Sequence, residues 1–134
     1  MGMDLTSDSG DQTRFTGYTW ALVLNLAEHY GWHAPGTAPP DGWQEATIWP
    51  RSYDTNEGGR VRPEDARALA EALDTAIASS EFDRSLIAID GALQQAIAAA
   101  TNVSASGEMP DKIEWLQILT DFAAFCRNGG FRID

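Results

Sequence analysis

GWHAPGTAPPDGWQEATIWPRSYDTNEGGRVR, residues 31–62, lies between two segments of strong helical periodicity and decides how the chain is read. Pro35, Pro39, Pro40 and Pro50 deny it regular secondary structure, while Trp32, Trp43, Trp49 and Tyr53 supply large aromatic surfaces. Ordered connections of about thirty residues are uncommon in compact domains and are often functional. The stretch is therefore either a lid that replaces secondary structure by aromatic burial or a recognition surface.

Outward from it the pattern is helical. Trp20, Val23, Leu24, Ala27 and Tyr30 recur at helical spacing over Tyr18–Tyr30, with Thr16 placed to cap the start and Gly31 to end it. On the other side, Pro63 with Glu64 and Asp65 reads as a helix start, and Ala66, Leu69, Ala70, Leu73 and Ile77 form one apolar stripe to about Ser79. A third helix is predicted over Phe82–Ala100, carrying Leu86, Ile89, Leu93 and Ile97, despite Gly91. After a polar connector over Thr101–Glu108, Pro110 and Asp111 open a fourth helix with Ile113, Leu116, Leu119, Phe122, Ala123 and Cys126, which Asn128-Gly129-Gly130 stops.

Two short runs, Arg60-Val61-Arg62 and Phe131-Arg132-Ile133, alternate apolar and charged residues, and their antiparallel pairing would tie the loop to the C-terminus. Residues 1–13 are acidic and contain Ser and Gly, which reads as a flexible tail ahead of a single helical domain over 14–134. The expected fold is mainly α, all-alpha apart from a small two-stranded β-element: a compact four-helix domain with a long Trp/Pro-rich loop.

The chain has 134 residues, 43% of them hydrophobic, enough for one core. Nine Lys and Arg against 20 Asp and Glu give a net charge of -11, which disfavours nucleic acid and anionic membrane surfaces and favours a basic protein partner. Cys126 is the sole cysteine, so no internal disulfide forms. No secretion signal or spanning apolar run is visible, and a cytoplasmic location is expected. The Gly2–Thr6 match to a myristoylation signal and the Asn102-Val103-Ser104 glycosylation acceptor are both short patterns that nothing else in the chain supports.

Asp54 to Asp65 lies close to a twelve-residue calcium loop, with Asp54 and Asn56 at its first and third positions, Gly59 at the sixth and Asp65 at the twelfth. Gly58 stands where a fifth-position oxygen ligand belongs, and Pro50 sits where the entering helix should run. The competing reading is a tight turn leading into a strand and a helix cap. His29 and His33 are four apart, but Gly31 interrupts the helix between them, against a zinc site. Cys126 falls on an apolar stripe near a helix C-terminus, where a thiol pKa is raised, and reads as an inert core residue. No phosphate-binding loop, nucleophile elbow or zinc-protease signature occurs, and Glu28 and Asp90 stand as unsupported acid–base candidates.

Three blocks, YGWHAPGTAPP (30–40), YDTNEGGRVRPEDARALAEAL (53–73) and FAAFCRNGGFRI (122–133), resemble those of a family of small uncharacterised bacterial proteins. That family shares a GWxPxGT block, a YxxNxGxxVxxxDAxxLAxAL block and a closing FCRxGGFxI. The resemblance implies a bacterial single-domain protein and carries no activity. It also weighs against calcium, because the shared positions centre on Asn56 and Gly58 rather than on a full ligand set.

These readings point to a non-enzymatic binding module for a basic partner, by analogy with immunity proteins that neutralise toxins. Trp32, Trp43, Trp49, Tyr53, Asn56, Arg60 and Arg127 are the expected surface, and no cofactor is expected. The alternative is a small-molecule or calcium site under the loop, using Asp54, Asn56 and Asp65.

Overall fold

The computed structural model describes residues 2–44, 48–101 and 111–134, with only the backbone described at 100 and 101. The connector expected after Thr101, the Asn102-Val103-Ser104 pattern and Pro110 lie outside the described residues. In chain order the elements are β1 (Gly2–Ser7), β2 (Gln12–Thr16), α1 (Gly17–His29), β3 (Gly59–Val61), α2 (Pro63–Ala78), α3 (Phe82–Thr101), α4 (Lys112–Arg127) and β4 (Phe131–Ile133).

The helices follow local chemistry. Thr16 Oγ1 accepts from the Thr19 amide at 3.1 Å and caps α1, whose end passes into Gly31 at φ +97°. Pro63 occupies the first turn of α2 beside Glu64 and Asp65. The Asp111 carboxylate accepts from the Glu114 amide at 2.9 Å and caps α4.

The expectation of a mainly α, all-alpha fold is corrected by a four-stranded antiparallel sheet in the order β2-β1-β4-β3. The expected pairing of the two short runs exists, with Arg60 opposite Arg132 and Val61 opposite Phe131, but it is only one side of that sheet. The fold is mixed α/β. The flexible tail is corrected too: residues 2–7 form an inner strand, hydrogen-bonded to β2 on one side and β4 on the other. Met3, Leu5 and Ser7 are buried while Asp4 is exposed, the period-two pattern of a half-buried strand. Acidic composition hid a strand with only two large apolar side chains, whose partners Phe131 and Ile133 stand at the far end of the chain.

One face of the sheet is apolar. Met3, Leu5, Phe15, Val61, Phe131 and Ile133 join Trp20, Leu69, Leu73, Trp115 and Phe122 of the helices in one buried cluster. The opposite face carries Asp4, Arg14, Arg60 and Arg132 in solvent. Closure of the sheet onto α2 requires Gly130, where a Cβ would collide with the Val61 carbonyl oxygen.

Candidate functional site

The long loop folds inward. Trp49 is 8% exposed, and its Nε1 donates to Thr37 Oγ1 at 3.0 Å. Ala38 exchanges backbone hydrogen bonds with Arg60 at 2.8 and 2.9 Å, so the loop covers the outer edge of β3. Gly59 makes this possible, because a Cβ there would stand 3.0 Å from both Thr37 Oγ1 and the Trp49 ring. Trp43 is half-buried, edge-on to Trp49 with centroids 4.8 Å apart. Trp32 packs edge-on to Tyr53 at 5.3 Å, and Trp20 Nε1 donates to the Tyr53 carbonyl at 2.7 Å. Burial pushes the Tyr53 phenol pKa up, reinforced by the Asp65 charge.

Of the remaining residues expected on that surface, Arg60 stays beside the loop, whereas Asn56 and Arg127 bond elsewhere. Asn56 is exposed, with its amide 3.5 Å from the Gly2 carbonyl. Arg60 pairs with Asp41 at 2.9 Å on the solvent face of the sheet, and Arg127 pairs with Asp74 of α2. In the second half of the calcium-like stretch, Gly59–Val61 form strand β3 and Pro63 opens helix α2. Asp65 lies within 3.8 Å of Arg62, and among the described residues no three His, Cys, Asp or Glu side chains form one cluster.

His29 is exposed in the last turn of α1 and His33 is exposed beyond it, whereas Cys126 is buried on α4. Burial pushes the Cys126 thiol up, away from the thiolate a nucleophile needs. Asp90 is engaged structurally: its carboxylate accepts from the Tyr18 hydroxyl and, at 2.9 Å, from the Gln94 amide, joining α1 to α3. Burial and this hydrogen bond push the Tyr18 phenol up to about 12.

A different feature stands out on the far side of the sheet. β2 is its other edge, uncovered among the described residues, and a groove of about 470 Å³ runs along it, floored by Phe15, Phe122 and Phe125 and walled by Thr19, Ile118 and Asp121. The register fixes which backbone groups face outward. Ser7 donates to the Asp11 carbonyl towards β2, and Asp4 exchanges hydrogen bonds with Asp134 on the side of β4. Alternation then turns Thr13 and Phe15 towards β1, and leaves the N–H and C=O groups of Gln12 and Arg14 on the open side.

No protein family, curated protein or solved structure matches this chain.

The three sequence blocks nevertheless meet in space. Thr37 and Ala38 from the first, Gly59 and Val61 from the second and Phe131 and Ile133 from the third are joined through Trp49, β3 and β4. They build the closure of the fold. The groove escaped sequence reading because β2 did: Phe15 reads as a domain start, and its edge position depends on β1.

Proposed function

We propose that this protein is a non-enzymatic domain of the bacterial cytoplasm that binds a basic protein partner. One observation supports the reading above others. Arg14, Arg60, Arg62, Arg84, Lys112, Arg127 and Arg132 are each within 4.0 Å of a carboxylate of the same chain. Most of the cationic minority is thus neutralised internally, while Glu28, Asp54, Glu57, Glu64 and Glu71 carry no ion pair among the described residues. The surface field is that of uncompensated acid, which accelerates and strengthens association with positive surfaces and repels anionic ones. No helix among the described residues is long and apolar enough to cross a membrane.

The test is affinity capture from a lysate of the source organism at low and high salt. A basic protein is retained at low salt and released by high salt. Combined Glu57→Gln, Glu64→Gln and Glu71→Gln substitutions weaken its retention. Retention of a neutral or acidic partner, or retention indifferent to salt and to these substitutions, would overturn the reading.

A further inference from the structure

We infer that the partner is held by β-strand addition: an extended segment of it lies along β2 as a fifth strand, with alternate side chains in the groove beside α4. This rests on the binding reading above and names where it takes place. Three observations carry it.

The first is the hydrogen-bonding state of the edge. At the other end of the sheet, Ala38 already pairs with Arg60, whereas the outward amides and carbonyls of Gln12 and Arg14 meet no partner among the described residues, and both residues are exposed. An exposed strand edge is a template for another strand. The second is the groove itself. A strand added beside β2 lies over Phe122 and Phe125, and every second side chain of it points into the 470 Å³ groove, which accommodates small aliphatic groups.

The third is charge. Arg14, the cation of the groove lining, is occupied by Asp4 at 3.4 Å, whereas Asp121 on the α4 wall accepts from Gln117 and has no ion pair among the described residues, and Asp11 marks the hairpin end. Basic residues flanking the aliphatic ones therefore complement the site. A second copy of the chain does not: pairing two β2 strands brings together two chains of charge -11.

The probe is a short end-blocked peptide in which valine alternates with threonine between terminal lysines. It is titrated into the full chain while amide NMR signals are followed. The expected result is saturable shifts with slowed amide exchange at Gln12 and Arg14, and roughly tenfold weaker binding when the peptide is N-methylated at alternate residues so that it cannot donate hydrogen bonds. Arg14→Pro removes the outward N–H and spares the backbone bonds to β1, and it has the same effect even though loss of the ion pair frees Asp4 and would by charge alone favour the lysines; its thermal midpoint reports that it folds. Should it not fold, the N-methylated peptide carries the comparison alone.

Shifts elsewhere, equal binding of the N-methylated peptide, equal binding of a peptide with terminal glutamates, or no binding each overturn the strand-addition site. Self-association abolished by Arg14→Pro would overturn it as well, assigning the edge to a second copy. The binding reading fails separately, when capture yields no salt-sensitive basic partner. A captured basic partner that ignores Arg14→Pro leaves that reading intact and removes this one.

Discussion

The Trp49 indole N–H donates to the Thr37 hydroxyl at 3.0 Å inside the long loop, and Thr37 is itself 2% exposed. This pair turns an irregular stretch into a packed lid over the end of the sheet. Thr37→Val keeps the volume but orphans a buried donor, which costs about 1–3 kcal/mol. Urea unfolding followed by tryptophan fluorescence measures it. A recognition-surface role for Trp49 would instead leave stability unchanged.

Leu5 is fully buried between Thr13 and Ile133, whereas Asp4 beside it faces solvent. Leu5→Ala is expected to lower stability by roughly 2–5 kcal/mol, and Asp4→Ala by less than about 1 kcal/mol. Chemical denaturation of the two variants checks the contrast. Equal, negligible losses would restore the first residues to a mobile tail.

Two glycines make opposite predictions. Gly130→Ala drives a methyl group into the Val61 carbonyl and is expected to cost about 1–3 kcal/mol or more. Gly91→Ala, exposed on α3 with nothing within 4 Å, is expected to stabilise by about 0.5–1 kcal/mol. Thermal midpoints moving in the same direction would contradict these placements.

Tyr18 couples stability to alkaline pH. Its folded-state pKa of about 12 exceeds the ordinary 10, so the folded chain holds the phenolic proton more tightly than the unfolded chain does. The contribution is complete below pH 10 and is lost as pH rises from 10 towards 12. Tyr18→Phe should lower stability by about 1 kcal/mol at neutral pH and flatten the decline in that alkaline window. Stability measured against pH for both proteins decides it. Parallel curves would detach Tyr18 from the effect.

The four helices were legible because their determinants are local. Thr16, Gly31, Pro63 and Asp111 act within a turn of the ends they define, and helical hydrogen bonds close four residues apart. The buried character of Cys126 followed from the stripe on which it sits. For the loop, the aromatic residues signalled that something large would be buried or presented. Which of the two depended on Thr37, a residue with no special pattern of its own.

Sequence alone determined the helix boundaries, the alternation of β3 with β4 and the acidic character of the surface. Only the tertiary structure decided that residues 2–7 are an inner strand and that β2 is an edge strand beside a groove. The physical reason is where the partners lie. Leu5 acquires a strand environment from Ile133, at the other end of the chain, and the Met3-Asp4-Leu5-Thr6 alternation is too short to mark a strand without that long-range partner.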